Sequence, residues 1–452
     1  MPSYRASRIW AVILACFGGN AIRAEEPVPT PPPGLEQALF PEPNRMPVRA
    51  SLGEGLEFAT LDDSFVLRLR LMAQIDGKLF IPGDQDPARS GVYLPRVRTY
   101  FEGSFGKSWE YEVSLQRSVE GTFDVLDASG NYRGFGEGMQ FKFGRFLVPY
   151  SYDWYDHLEQ FFITPERGLF PLNFGLSREA GVMMWGDLFE KRAQYAFGGF
   201  SGQLSGLADT NVTRDLVGYL NLRPFRRGSN DILRFLNLGG SFAVGQQAYD
   251  AEPLPLRTSL QSSENDEAAQ SASAIFLDFF PEVVASGNRV QAALHLSWYL
   301  RHLSVEAEFA AGRFDYRNEA GQTVGLPVNG FHVGAGYFIT GEEVEKRTVV
   351  KPLRPFDPAN GEWGPGAIEP FARVSRLRLG ESVFTGNLAS QNDWTDRAIA
   401  LDIGWNWYPN EYLKFYFDWQ HSQFGSPVLI NAKTGERRTT NDLLWVRAQI
   451  NF

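Results

Sequence analysis

The last twelve residues, Asn441-Asp-Leu-Leu-Trp-Val-Arg-Ala-Gln-Ile-Asn-Phe452, alternate between apolar and polar side chains. The apolar positions are Leu444, Val446, Ala448, Ile450 and Phe452. A period of two predicts a β-strand with one apolar face and one wet face. An unpaired strand edge is a liability, and a barrel closed by its last strand gives that strand a partner on both sides. The stretch therefore predicts a closed β-barrel.

The same alternation recurs along the chain and predicts sixteen strands. They are expected near residues 65–76, 96–105, 109–116, 122–133, 139–148, 179–187, 193–201, 215–225, 235–247, 289–300, 303–314, 330–340, 367–379, 397–408, 412–424 and 442–452. Short connections such as 106–108 alternate with long ones such as 149–178, which is the asymmetry expected of outer-membrane barrels. We therefore predict an all-β fold, a sixteen-stranded antiparallel transmembrane β-barrel.

The composition agrees with a membrane barrel. Aromatic residues make up 14% of the chain and glycines number 45, which suits many strands and turns. Beyond the N-terminus, no stretch approaches the roughly 18–20 apolar residues of a membrane helix. A soluble sandwich is the alternative, but sixteen strands would then need a large buried face and would leave open edges. The wet faces of the predicted strands favour the barrel.

The N-terminal region precedes the alternating segments. A basic start, an apolar centre and Ala24 at a cleavage position predict that residues 1–24 are a signal peptide. The single cysteine, Cys16, lies within it, and a lipidation site there is the alternative. Residues 25–56 are expected to form a Pro-rich linker, and residues 57–452 the barrel. Cleavage would remove three of the 43 basic residues and none of the 53 acidic ones, which argues against a nucleic-acid partner.

Enzymatic motifs are absent from the sequence. The five histidines occur without an HExxH pattern, and neither a GxSxG nor a P-loop pattern is present. Glu306 and Glu308 share a strand face and could bind a divalent cation, but a solvated lumen explains them equally. We expect no enzyme activity, no cofactor and no metal site.

The wet faces of the strands supply candidate pore residues. Arg68 and Arg70 share a face on the first strand, and Arg96 and Arg98 share one on the second. Arg447 on the closing strand is expected beside the first pair. Lys142 and Arg373 also point inward by parity. Guanidinium groups suit phosphate or carboxylate oxygens. The alternative is that these residues pair with the acids of the lumen, which are about as numerous by parity.

Several segments in order resemble the phosphate-selective porin family, porins O and P. They are Pro95–Ser104 with Trp109–Tyr111, Phe143–Tyr150, Tyr337–Glu342 with Arg354–Pro358, and Gly404–Asn410. The resemblance spans residues 57–452 and implies a sixteen-stranded trimeric porin whose third loop folds inward as the constriction. It also implies that Arg96 and Arg98 help to form an anion path and that Asp127 matches an acidic residue of the family's fourth strand. Phe452 would match the terminal aromatic used in membrane assembly.

The third loop, residues 149–178, departs from the family pattern. The family uses loop lysines to hold phosphate, and this loop has none. Its candidate constriction residues are Tyr152, Trp154, His157, Arg167 and Arg178. Such a loop could instead pass sugars or other neutral solutes.

These observations lead to one prediction with two alternatives. We predict a porin of a Gram-negative-type outer membrane that allows passive diffusion of small solutes and prefers anions, with phosphate as one candidate. The expected partners are small anions, outer-membrane lipid and two further copies of the chain in a homotrimer. The alternatives are a general or sugar-preferring porin and a non-conducting structural barrel.

Overall fold

Antiparallel hydrogen bonding joins sixteen strands into a closed barrel in the computed structural model, which describes residues 47–118, 123–202, 213–228, 230–260 and 271–452. The barrel strands are β3 (Phe65–Ile81), β4 (Gly91–Phe105), β5 (Trp109–Ser118), β6 (Phe123–Tyr132), β7 (Gln140–Leu147), β8 (Arg178–Leu188), β9 (Ala193–Phe200), β10 (Asp215–Leu222), β11 (Phe235–Ala251), β14 (Val284–Leu300), β15 (Leu303–Arg317), β16 (Thr323–Tyr337), β19 (Ala367–Leu379), β20 (Arg397–Tyr408), β21 (Leu413–Asn431) and β22 (Glu436–Asn451). Each overlaps a predicted strand, so the predicted sixteen-stranded fold is confirmed.

The remaining elements are short. Two-stranded pairs form between β12 (Leu256–Arg257) and β13 (Ile275–Leu277), and between β17 (Phe356–Asp357) and β18 (Glu362–Trp363). Helical turns occur at Tyr152–Tyr155, Glu159–Phe161, Leu169–Phe174, Pro358–Asn360 and Ser382–Thr385. No helix in the described part of the chain is both long and apolar enough to cross a membrane.

The closing strand β22 pairs with the first barrel strand β3. The register places Arg447 opposite Asp76 and Asn451 opposite Met72. The chain end is also paired, because the Phe452 amide donates to the Leu71 carbonyl at 3.0 Å and the Leu71 amide donates to the Phe452 carbonyl at 2.9 Å. β22 therefore has a partner strand on both sides, β21 and β3.

An N-terminal hairpin extends the wall beyond Phe452. Strands β1 (Val48–Gly53) and β2 (Gly55–Thr60) pair through a turn at Gly55, whose φ of 100° favours glycine. β2 then pairs with β3 from Val66 to Leu69, on the edge that β22 leaves uncovered. The predicted linker boundary at residue 56 is therefore wrong, because regular structure begins at Val48. The alternating pattern of apolar and polar residues is missing there, because all six β1 residues are exposed. The predicted signal peptide and residues 25–46 of the linker lie outside the described residues.

Alternate side chains along each strand face opposite sides of the wall. On β22, Val446 is 45% exposed on the outer face, whereas Arg447 is fully buried on the inner face. The short turns of residues 106–108, 189–192, 301–302 and 409–412 lie at one end of the barrel, together with the longer connections of residues 223–234 and 338–366. The third loop and the connection of residues 380–396 lie at the other end. Short turns face the periplasm in outer-membrane barrels, so we call that end periplasmic and the other extracellular.

The third loop lies inside the barrel, as predicted. Its helix Leu169–Phe174 is buried, and Phe170 and Phe174 pack in one cluster with Phe314, Leu326 and Leu377 of the wall. This apolar packing removes the extracellular half of β15, β16 and β19 from the open lumen. Free space remains along β3 to β8 at the periplasmic end.

Candidate functional site

Arginines of the wall hold the third loop through its backbone as well as its side chains. Arg447 forms a bidentate ion pair with Asp76 at 2.6 and 2.9 Å, and its remaining nitrogen donates to the Pro165 carbonyl. Arg373 pairs with Asp402 at 3.0 Å and donates to the Glu166 carbonyl at 2.5 Å. Both side chains are almost completely buried. They therefore attach the loop to the wall, and solute cannot reach their guanidinium groups.

Arg96 and Arg98 of β4 attach the loop from the other side. Arg96 pairs with Glu166 at 2.7 Å, and Arg98 binds both oxygens of Glu159 at 2.8 and 3.3 Å. Gln116 also accepts from Arg98 at 2.5 Å. The predicted inward orientation of this pair is confirmed, but each guanidinium already has a carboxylate partner from the loop.

Glu159 lies at the centre of the basic group that joins the loop to β4. Burial alone would raise the pKa of its carboxyl group, but Arg98, Arg167, Arg178 and Arg96 outweigh that effect and hold the pKa well below its usual value. Arg178, at the start of β8, also pairs with Asp127 at 3.0 Å. Four guanidinium groups thus surround three carboxylates, those of Glu159, Glu166 and Asp127.

The predicted constriction residues are mostly packed within the loop or against the wall. Tyr152 shares a hydrogen bond with Tyr299 at 3.0 Å, and its amide donates to Glu308. Trp154 donates to the Pro171 carbonyl at 2.8 Å, and the Arg167 guanidinium lies 3.5 Å from the Trp154 ring centroid. These contacts hold the loop in shape.

His157 is likewise enclosed and is only 3% exposed. Its Nδ1 atom lies 3.4 Å from Glu306 and 3.7 Å from Asp153. His157 and Arg167 are buried and Trp154 is partly buried, against the wall and against one another. Their role at the constriction stays a prediction.

Arg347 is an attachment residue that the sequence did not indicate. It belongs to the periplasmic connection of residues 338–366, yet its buried guanidinium pairs with Glu369 at 2.5 and 3.1 Å. It also donates to the Phe161 carbonyl at 3.0 Å. The loop is therefore held from the periplasmic side as well, through a residue that lies in no predicted strand.

Asp156 and Lys414 complete the attachments. Asp156 accepts from Tyr219 at 2.6 Å and from Asn221 at 3.1 Å on β10. Lys414 on β21 donates to the Phe162 carbonyl at 2.5 Å. The loop therefore reaches from β10 to β21 across the lumen.

A water-accessible chamber lies at the periplasmic end. Its volume is about 470 Å³, and its charged lining consists of Arg49, Arg68, Arg133 and Lys142 with Glu57, Asp63, Glu102, Glu110 and Glu112. Arg68 pairs with Glu57 at 2.7 Å but keeps 42% of its side chain exposed. Lys142 pairs with Glu112 at 3.2 Å and is 24% exposed. These two predicted residues face solvent, and Arg70 beside them pairs with Glu102 at 2.8 Å.

The expected proximity of Arg447 to Arg68 and Arg70 is wrong. Arg447 stands opposite Asp76, six residues along β3 from Arg70, because β2 and not β22 pairs with the segment that contains Arg68. Alternation sets the face on which a residue lies, but strand pairing sets its height in the barrel.

The sequence is similar to those of known porins. The profile of the family described as phosphate-selective porin O and P matches residues 67–424. The chain belongs to this family. Porin O of Pseudomonas aeruginosa is 24% identical over 406 residues, which cover 86% of this chain and 87% of that protein.

Solved structures of other porins share the architecture of this porin. The outer-membrane channel DcaP of Acinetobacter baumannii aligns with a TM-score of 0.51 at 8% identity, over 87% of this chain and 99% of that one. The trimer form of OmpT of Vibrio cholerae aligns with a TM-score of 0.50 at 8% identity, over 86% of this chain and 100% of that one. Family membership and the sixteen-stranded barrel make this porin a channel-forming protein of the Gram-negative outer membrane.

Proposed function

We propose that this porin conducts small anions, phosphate among them, along the β3 to β8 side of the lumen. The observation that carries the proposal is the group of four arginines around Glu159, where the loop meets β4. These guanidinium groups lie at a narrow place, where low-dielectric walls strengthen the field of the charges that line it. The description of the matching family as phosphate-selective supports the same preference.

The periplasmic chamber contributes little net charge to selection. Its lining carries four bases and five acids. The partly exposed Arg68 offers a guanidinium that a passing anion could contact while it keeps its carboxylate partner. We therefore assign the selection of anions to the loop, and the chamber serves as the periplasmic exit of the solute path.

The test is the reversal potential of the purified porin in a KCl gradient, recorded with and without phosphate. We expect chloride preference and a chloride current that millimolar phosphate reduces. Cation preference would refute the proposal. Chloride preference that phosphate leaves unchanged would restrict the proposal to anions in general. Passage of neutral sugars without ion preference would favour a general porin.

Glu159→Gln tests where selection occurs. Removing this carboxylate leaves the surrounding arginines with one fewer negative charge, so we expect a stronger anion preference than in the wild type. Glu112→Gln in the chamber is the matched control and should change the preference less, because Glu112 is partly exposed and water screens its charge. Equal changes in both variants would place selection in the whole lumen instead of at the loop.

We further propose that the chain forms a homotrimer. The trimer form of OmpT supports this assembly. Native mass spectrometry of the purified porin measures the subunit number directly, and a monomer at all concentrations would refute the proposal.

A further inference from the structure

Three arginines lie on the outer face of the barrel near its extracellular end. Arg376 and Arg378 belong to β19, and Arg397 begins β20. Their strand neighbours Leu377 and Ala398 are fully buried on the inner face, whereas Arg378 and Arg397 are exposed and Arg376 is partly exposed. The three guanidinium groups therefore leave the wall on the side opposite the lumen.

The depth of the arginines follows from the outer face of β20. Below Arg397 this face presents Ile399, Leu401, Ile403, Trp405 and Trp407. Ten residues of strand span about 33 Å, which at a tilt of about 45° covers roughly the 25 Å of an apolar band. The tryptophans mark the periplasmic interface of this band, so Arg397 lies at its extracellular interface, where lipid headgroups begin.

The strand register brings like charges together. Arg378 stands directly opposite Arg397. Side chains in this relation are close neighbours, and two like charges there destabilise the pair. The residue opposite Arg378 on its other side is the neutral Asn329. An anion between the two guanidinium groups would remove the repulsion.

No described carboxylate supplies that anion. None of the ion pairs among the described residues involves Arg376, Arg378 or Arg397, and the Nε atom of Arg376 is buried without a hydrogen-bond partner. Arg313 near the extracellular end of β15, by contrast, pairs with Asp315 at 3.7 Å. The three arginines are thus an unpaired cationic site within a membrane-facing surface.

We propose that Arg376, Arg378 and Arg397 bind the phosphate group of an outer-leaflet lipid. Guanidinium groups bind phosphate oxygens in bidentate fashion, and the apolar residues below them would contact the acyl chains of the same lipid. A lipid is the occupant because the arginines face the bilayer at headgroup depth, with the barrel wall between them and the solute path. This lipid site is separate from the anion path proposed above.

Native mass spectrometry with lipid A tests the proposal. Wild-type porin and the triple variant Arg376→Gln, Arg378→Gln, Arg397→Gln are purified in the same detergent and titrated with lipid A or with dephosphorylated lipid A. We expect the wild type to retain lipid A with about tenfold higher affinity than the triple variant. Dephosphorylated lipid A should bind both proteins equally weakly.

Arg117→Gln is the matched control, because Arg117 is also exposed on the outer face at the extracellular end of its strand. It should retain lipid A like the wild type. Heat-modifiable gel mobility checks that each variant forms the barrel.

Three outcomes would overturn the proposal. Equal lipid A retention in the wild type and the triple variant would exclude a lipid site. Displacement of lipid A by inorganic phosphate at equal concentration would indicate a site for a free solute. Loss of subunit association in the triple variant, with unchanged lipid per chain, would make the arginines a subunit contact.

Discussion

The two sides of the lumen use the same residue types for different purposes. Along β19 to β22, Arg373 and Arg447 are buried, paired with wall acids and bonded to loop carbonyls. At β4, Arg96 and Arg98 pair with carboxylates of the loop. Along the chamber, Arg68 and Lys142 pair with acids but remain partly exposed. Water screens the second group and not the first. The comparison separates cations that hold the constriction in place from cations that a solute can meet.

Arg447→Met should have the largest effect, because it leaves the Asp76 carboxylate buried without its partner. Breaking such a pair costs about 3–5 kcal/mol of stability. Arg68→Met is the control on the chamber side and should cost only about 0–1 kcal/mol. Urea unfolding of the porin in vesicles, followed by tryptophan fluorescence, measures both.

A second variant separates charge burial from loop attachment. Asp76→Leu combined with Arg447→Met removes both charges and should recover most of the lost stability, while the bond to the Pro165 carbonyl stays broken. If Arg447→Met alone proves as mild as Arg68→Met, the distinction between the two sides of the lumen fails.

Arg347→Gln should have the next largest effect. Glu369 keeps hydrogen bonds from Tyr408 at 2.8 Å and Asn406 at 3.0 Å, so the loss of stability should be about 1–3 kcal/mol. The bond to the Phe161 carbonyl is also lost, and that end of the loop should then move more.

Single-channel recording detects this motion as added noise in the open-channel current. Lys346→Gln changes the adjacent exposed residue and should leave both noise and stability unchanged. An Arg347→Gln channel as quiet as the wild type would mean that the other attachments hold the loop without it.

The sequence predicted the wall better than the attachments, for a physical reason. Alternation is a local signal, and it located all sixteen strands and the inward face of Arg96, Arg98 and Arg373. The partner of Arg447 depends on the register of strands far apart in sequence, which alternation leaves open. The hairpin at Val48–Thr60 lacked the signal because its first strand is exposed on both faces.

Arg347 shows most clearly which contacts the sequence could not predict. It lies in an irregular connection, so its burial against Glu369 depends on how residues 338–366 enter the barrel. No periodic pattern of apolar residues indicates that an irregular connection enters the barrel. The loop's lack of lysine can be seen in the sequence, but the arginines that surround Glu159 come from three places in the chain and meet only in the folded barrel.

The smallest effect is expected for Arg49→Gln, and its salt dependence sharpens the comparison. Arg49 lines the chamber and pairs with Asp63 at 2.7 Å, with both side chains about half exposed. The stability change should be within about 0.5 kcal/mol.

The Debye length is about 30 Å at 0.01 M salt and about 3 Å at 1 M. Arg49→Gln should therefore lower the anion preference at 10 mM KCl and leave it unchanged at 1 M. Glu159→Gln should alter it at both concentrations, because its carboxylate is buried among arginines. If both variants lost their effect at 1 M KCl, selection would arise from screened surface charge in both regions, and the loop would act only as a steric constriction.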